Sequence, residues 1–160
     1  MSADASPSGR PIQTVLDTLR VKIDLDRFDA AVLELETVAA DLGYGDVRPL
    51  SASVTWLDHL RDEGKRIALT DGGVRGQAAL ELAGLADRFD VCAANGAEAL
   101  EELGVDADRS IAVAASLEGI RSARENGVYL AIAVARGLAS PEQLRRAGAH
   151  TVVAELHELL

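Results

Sequence analysis

The chain has 160 residues, of which 48% are hydrophobic and only 3% are aromatic. This length predicts one domain, whose core must be built from Ala, Val, Leu and Ile. The formal net charge of −10 predicts repulsion of phosphate backbones, which argues against nucleic acid as a partner. No apolar run reaches the length of a membrane span, so no membrane partner is expected. A single cysteine, Cys92, excludes an internal disulfide and predicts a cytoplasmic protein.

An N-terminal segment precedes the main fold. Residues 1–10 are small and polar, and we expect them to form a disordered tail. Residues 11–26 are predicted to contain an amphipathic helix over 12–22 and a linker, because four apolar residues recur there at helical spacing. Those residues are Ile12, Val15, Leu16 and Leu19. The helix is expected to pack on its own domain, with docking on a partner as the alternative. The core domain is predicted over 27–160.

Apolar runs of strand length alternate with amphipathic helices from residue 30 onward. Strands are predicted over 30–36, 65–70, 89–94, 110–116, 129–135 and 151–156. Helices are predicted over 53–64, 74–85, 96–104, 117–127 and 140–148, the last with Ser140 as its N-cap. Residues 43–49 are predicted as a short loop. This alternation predicts an α/β fold: a parallel sheet between two helical layers, the three-layer α/β/α Rossmann-like arrangement.

Polar residues follow several of the predicted strands. In such sheets ligands bind at the carboxyl ends of the strands, which directs attention to Glu34 and Glu36, and to residues 70–73, 95–96 and 115–119. The two glutamates are candidates for a metal site or for a nucleophile, and the alternative is that they are solvated residues at a strand end. A possible anion seat is formed by the hydroxyl of Thr70 and the backbone N–H groups of Asp71, Gly72 and Gly73.

The order of the segments resembles the haloacid dehalogenase-like (HAD) superfamily, specifically its β-phosphoglucomutase-like branch. The resemblance covers roughly residues 27–160 and rests on the order and spacing of five stretches. They are "RFDAAVLELETV", "VRPLSASVTWLDHLRDEGKRIALTDGG", "LELAGLADRFDVCAANGAEAL", "SIAVAASLEGIRSARENGVYLAIAV" and "LRRAGAHTVVAELHEL". It implies a phosphoryl-transfer site with an aspartate nucleophile, a second aspartate as acid and base, a Ser or Thr that holds phosphate, a lysine, and an acidic pair that holds Mg²⁺.

The chain departs from that pattern at most of the implied positions. Glu34 stands where the nucleophile is expected and Glu36 where the acid/base is expected, whereas Thr70 matches the phosphate-binding hydroxyl. Ala114 and Ala115 occupy the positions where the acidic pair is expected. The stretch where the lysine is expected contains no lysine. The residues between the first motif and the next helix are too few for a cap domain. We therefore expect a vestigial site without catalytic residues, cofactor or metal, where Mg²⁺ would matter only for residual activity at Glu34 and Glu36.

These departures predict a catalytically inactive, capless HAD-like domain that binds a protein partner or a second copy of itself. The chain is similar to the inactive N-terminal HAD-like domain of actinobacterial trehalose-phosphate phosphatases, which implies an accessory role in sugar-phosphate metabolism. Two alternatives remain: a weak Mg²⁺-dependent phosphatase that uses Glu34, and a domain that binds a phosphorylated metabolite at Thr70 without hydrolysis. A receiver-like flavodoxin fold is disfavoured, because it needs an aspartate where Thr70 stands and a lysine after a later strand.

Overall fold

The computed structural model describes residues 23–70 and 73–159. The predicted tail (1–10) and the predicted helix (12–22) lie outside the described residues, as do Asp71 and Gly72. The strands are β1 (Ala30–Glu34), β2 (Ala39–Asp41), β3 (Val47–Pro49), β4 (Arg66–Thr70), β5 (Val91–Cys92), β6 (Ser110–Ala114), β7 (Leu130–Val134) and β8 (Thr151–Val153). Six of them form one sheet in the order β5-β4-β1-β6-β7-β8, and every pairing in it is parallel.

Helices cover both faces of this sheet, which confirms the predicted three-layer α/β/α fold. They are α1 (Ser51–Asp62), α2 (Gly73–Ala83), α3 (Gly96–Leu103), α4 (Leu117–Asn126) and α5 (Pro141–Ala147). Helices α1 and α2 pack on one face, and α3, α4 and α5 pack on the other. Ser140 caps α5 in a capping box, as the sequence predicted. None of the described helices is long and apolar enough to cross a bilayer.

The two faces of the sheet differ in side-chain size because the strands alternate large and small apolar residues. The face under α1 and α2 carries Leu33, Ile67, Leu69, Ile111, Val113, Ile132 and Val134. The face under α3, α4 and α5 carries Ala30, Val32, Ala68, Ala112, Ala114, Ala131 and Ala133. We call the second one the alanine face. Its small side chains leave space between the sheet and the helices that cover it.

The prediction of a strand through residue 36 was wrong beyond Glu34. Residues Leu35–Thr37 form a single 3-10 turn. The Thr37 hydroxyl donates a hydrogen bond to the Glu34 carbonyl oxygen at 2.7 Å, which turns the chain out of the sheet. The buried Ser53 hydroxyl then donates to the Thr37 carbonyl oxygen at 2.6 Å and ties this turn to α1. The strand prediction ran into the turn because Leu35 and Glu36 continue the alternation of apolar and polar residues from β1.

The predicted loop over 43–49 was also wrong in part, because the antiparallel strands β2 and β3 form a hairpin there. Its tip has three consecutive residues at positive φ, namely Gly43, Tyr44 and Gly45. This hairpin stands where a cap domain would be inserted, and within residues 23–70 and 73–159 there is no cap.

Lys65 fastens the start of the described chain to the core. Its ammonium group donates hydrogen bonds to the carbonyl oxygens of Leu25 at 2.6 Å and Phe28 at 2.9 Å, and it lies 5.2 Å from the centroid of the Phe28 ring. We expect Lys65→Met to lower the free energy of unfolding by about 1–3 kcal/mol, because two charge-assisted hydrogen bonds are lost. Chemical denaturation checks this, with Arg66→Met as the exposed neighbouring control. Equal losses in both variants would contradict it.

His150 makes the stability of the fold depend on pH. Its Nδ1 accepts a hydrogen bond from the Ala131 N–H at 2.8 Å, which requires an unprotonated nitrogen. Partial burial of the ring and the nearby Arg124 guanidinium hold the pKa of His150 below its ordinary value of 6.5. Because the unfolded chain then binds a proton more readily than the folded chain, stability falls as the pH drops below the ordinary value towards the folded pKa.

The expected result is a loss of stability between about pH 7 and pH 5 that is smaller in His150→Gln than in the parent chain. Denaturation curves over that pH range measure it. His59→Gln, a histidine variant on α1, is measured alongside as the control for the loss of an imidazole. If the free energy of unfolding of His150→Gln changes with pH as steeply as that of the parent chain, the pH effect arises from other groups.

Candidate functional site

Three of the predicted site positions lie together at the carboxyl edge of the sheet. Glu34, the last residue of β1, is the register partner of Thr70, the last residue of β4. On its other side β1 pairs with β6, where Leu33 faces Val113, so that Ala115 lies just past the end of β6, within reach of the Glu34 side chain. The topology therefore brings Glu34, Thr70 and Ala115 to one place although they are far apart in the sequence.

The Glu34 carboxylate is bound by the turn that connects β6 to α4. Its Oε1 accepts hydrogen bonds from the backbone N–H of Ala115 at 2.8 Å and of Ser116 at 3.1 Å. Its Oε2 accepts a hydrogen bond from the Ser116 hydroxyl at 2.7 Å. We call Ala115 and Ser116 the carboxylate-binding turn. Both oxygens of Glu34 are thus engaged, and the prediction that Glu34 is merely a solvated strand-end residue was wrong.

Two features of α4 adapt it to this carboxylate. Ser116 is the N-cap of the helix, and its hydroxyl accepts from the Gly119 N–H at 3.0 Å while it donates to Glu34. The positive end of the helix dipole favours a negative charge at this position. Gly119 leaves the necessary space, because a Cβ there would lie 2.5 Å from Oε2 of Glu34. The Glu34 side chain therefore acts as an internal anion at the N-terminus of α4.

The remaining predicted site residues are distributed differently. Glu36 lies on the 3-10 turn with its side chain exposed, so it does not join Glu34. Thr70 is buried, and its hydroxyl donates to the Leu33 carbonyl oxygen at 3.3 Å, which leaves its lone pairs free to accept. The predicted anion seat involves Asp71 and Gly72, which lie outside the described residues, and Gly73, where α2 begins. The seat stays a prediction.

No protein-family model and no curated protein matches the sequence. Solved structures do match the fold. A HAD family hydrolase from Deinococcus radiodurans R1, with bound phosphate and sodium, superposes with a TM-score of 0.71 at 16% identity, over 83% of this chain and 93% of that chain. A HAD phosphatase from Thermococcus onnurineus gives 0.62 at 24% identity, over 74% of this chain and 63% of that one.

A β-phosphoglucomutase from Clostridium difficile superposes with a TM-score of 0.59 at 18% identity, over 68% of this chain and 51% of that chain. The chain has the haloacid dehalogenase-like fold. It spans only 51% to 63% of the length of the β-phosphoglucomutase and of the Thermococcus phosphatase. The resemblance inferred from the sequence is therefore confirmed at the level of the fold.

The HAD-like fold implies a Mg²⁺ ion held by carboxylates at the positions of Glu34 and of Ala114 and Ala115, and the described residues do not fit one. Ala114 and Ala115 carry no donor atoms on their side chains, and the Glu34 carboxylate already accepts three hydrogen bonds. Nowhere in the described part of the chain do three His, Cys, Asp or Glu side chains cluster as metal ligands. Mg²⁺ requires hard oxygen ligands, and the described residues at these positions do not supply them.

A cavity of about 210 Å³ extends from Glu34 and Thr70 along the alanine face, between α3 and α4. Gly119, in the first turn of α4, borders the cavity, and the α4 side chains Ser122 and Asn126 line it farther along. Sequence reasoning placed residues 115–119 at a ligand edge but missed Ser122 and Asn126. The sequence did contain a signal for these two residues: they are spaced i, i+4 on a helix with few apolar residues, which places both side chains on the same face.

Proposed function

We propose that this chain is a catalytically inactive, cytoplasmic HAD-like domain that acts by binding as an interaction or accessory domain. The observation that supports this most directly is the engagement of both Glu34 carboxylate oxygens by the carboxylate-binding turn. A carboxylate nucleophile must present one oxygen in line with the phosphorus atom. At the nucleophile position of this chain, that oxygen would first have to leave its hydrogen bonds.

The charges around Glu34 also oppose phosphoryl transfer. The described lining of the cavity contains two carboxylates, Glu34 and Glu118, and no lysine, arginine or histidine. Transfer of a phosphoryl group depends on cations that offset the charge on its oxygens. The extra methylene of a glutamate displaces its carboxylate by about 1.5 Å relative to an aspartate, and displacements near 1 Å can cost on the order of a hundredfold in rate.

A binding role is supported by the hairpin that stands in place of a cap. Leu42 is 58% exposed and Tyr44 is fully exposed at the tip, where Tyr44 has a φ of 54°. A non-glycine residue at positive φ costs conformational energy, and exposed tyrosines are frequent in protein interfaces. We propose that the hairpin contacts a protein partner or a second copy of the chain, in an accessory role that extends to sugar-phosphate metabolism.

Phosphate release from a panel of sugar phosphates and an aryl phosphate, with Mg²⁺, tests the proposal. We expect no turnover by the parent chain above that of Glu34→Ala. One feature favours the competing phosphatase hypothesis, namely the register pairing of Glu34 with the Thr70 hydroxyl position. Mg²⁺-dependent release by the parent chain that disappears in Glu34→Ala would support that hypothesis and overturn the proposal.

A further inference from the structure

The walls of the 210 Å³ cavity suit the face of a ring. They consist mainly of apolar side chains, including Val32, Leu100, Ala112, Ala114, Ala123 and Val128. A cavity of about 150 Å³ is large enough to bind benzene. The space between α3, α4 and the alanine face therefore accommodates a substituted or fused ring, whereas a sugar would place several of its hydroxyl groups against the apolar part of these walls, where they lack partners.

Polar side chains also line the cavity, at positions that are separated from one another. Ser122 and Asn126 lie one turn apart on α4, are half-buried, and have no side-chain hydrogen bond to any described residue. The Asn126 amide lies close to α3, since a Cβ on Gly96 would be 3.1 Å from its Nδ2. Thr70 keeps lone pairs that can accept. A hydroxyl and a carboxamide can each donate and accept, so they match a ring that carries both N–H groups and ring nitrogens.

The charge of the lining excludes anionic ligands. Glu34 and Glu118 are its ionisable side chains, and no described cation faces the cavity to offset a phosphate or carboxylate group. Two carboxylates repel such a group and tolerate a neutral or protonated one.

We propose that this cavity binds a flat nitrogen heterocycle without negative charge. Its ring faces pack between Leu100 and the alanine face, and its edge exchanges hydrogen bonds with Asn126 and Ser122. The site uses none of the chemistry of phosphoryl transfer. It therefore stands independently of the proposed inactivity, and binding and turnover are measured separately.

A titration of the ¹⁵N-labelled full chain with benzimidazole, followed by amide chemical shifts, tests this proposal. The expected result is saturable binding with a Kd of about 1 mM or tighter, with shifts centred on α3, α4 and β6. Inorganic phosphate and glucose, titrated in parallel, should leave these amides unchanged. Absence of saturation, shifts that map to other elements, or saturable binding of phosphate or glucose at these amides would overturn the proposal.

Two variants locate the site. Asn126→Ala is expected to weaken benzimidazole binding about fivefold or more, because one polar contact is lost, whereas Glu125→Ala, its exposed neighbour outside the lining, should bind like the parent. Ser122→Leu fills the cavity from a half-buried position and should abolish binding. If Ser122→Leu does not fold, the proposal is tested by comparing the benzimidazole affinities of Asn126→Ala and Glu125→Ala. Parent-like affinity in Asn126→Ala would contradict the assignment.

Discussion

Replacement of Glu34 by alanine is expected to lower the free energy of unfolding by about 2 kcal/mol. The substitution leaves the N–H groups of Ala115 and Ser116 and the Ser116 hydroxyl without their acceptor. Hydrogen bonds to charged groups stabilise folded proteins more than neutral ones do. The expected loss is below the sum of three such bonds because Glu34 is only half-buried, so water reaches the exposed groups. Chemical denaturation measures the difference.

Glu36→Ala is the matched control for this experiment. Glu36 is the same residue type two positions later, but its side chain is exposed on the 3-10 turn. We expect its replacement to change stability by no more than about 0.5 kcal/mol. Glu34→Gln should fall between the two, because the amide oxygen still accepts although the charge is gone. Equal losses in Glu34→Ala and Glu36→Ala would show that the carboxylate-binding turn does not stabilise the fold.

Gly119→Ala is expected to destabilise the chain through the same contact. The added Cβ would lie 2.5 Å from Oε2 of Glu34 and 2.8 Å from the Cβ of Ala114, so the Glu34 carboxylate must leave its position. Overpacking of this kind costs about 1–3 kcal/mol, and the better helix propensity of alanine offsets up to about 1 kcal/mol. In the Glu34→Ala background the added methyl group meets only Ala114. There the same substitution should cost at least about 1 kcal/mol less.

A double-mutant cycle of Glu34→Ala and Gly119→Ala measures this coupling. Gly96→Ala is the control, because Gly96 also opens a helix beside the cavity, yet a Cβ there would meet only the movable amide of Asn126 at 3.1 Å. We expect Gly96→Ala to change the free energy of unfolding very little, and we expect its effect to add to that of Glu34→Ala. Additive costs of Glu34→Ala and Gly119→Ala, within about 0.5 kcal/mol, would show that the methyl group added at position 119 does not meet the Glu34 carboxylate.

The sequence predicted the fold well because each strand and helix carries its own pattern. Alternating apolar runs, glycines after helices and the Ser140 cap identify the elements locally, and the parallel sheet follows from their alternation. The turn over Leu35–Thr37 was missed because it depends on hydrogen bonds of Thr37 and Ser53 that cross from one element to another. The hairpin of β2 and β3 was missed because its strands are only three residues long.

The sequence predicted the place of the candidate site and not its contacts. Glu34, Thr70 and Ala115 meet because parallel strands end at the same edge. That Glu34 binds the turn after β6 depends on the pairing of β1 with a strand some 80 positions later in the chain, in a specific register. No local pattern encodes that pairing. Ser122 and Asn126 were missed for the same reason, since only the packing of α4 turns them towards the cavity.

The contact also offers a physical account of why glutamate and alanine occur together here. In the pattern that the resemblance implies, an aspartate at the position of Glu34 and acidic residues at the positions of Ala114 and Ala115 would hold a metal ion. In this chain Ala115 contributes only its N–H, and the longer Glu34 side chain reaches it and the N-terminus of α4. The N-terminus of α4 offsets part of the single negative charge of Glu34. In the implied pattern, a metal cation would offset the charges of several carboxylates. A glutamate at position 34 and an alanine at position 115 are therefore compatible with each other.

Amide hydrogen exchange at Ala115 and Ser116, in the parent chain and in Glu34→Ala, tests the central claim most directly. Both N–H groups donate to Glu34 at the start of α4. We expect both amides to be protected in the parent and to exchange at least about tenfold faster in the variant, beyond the change in core amides such as that of Ile132. Equal protection at Ala115 and Ser116 with and without Glu34 would show that its carboxylate does not hold this turn.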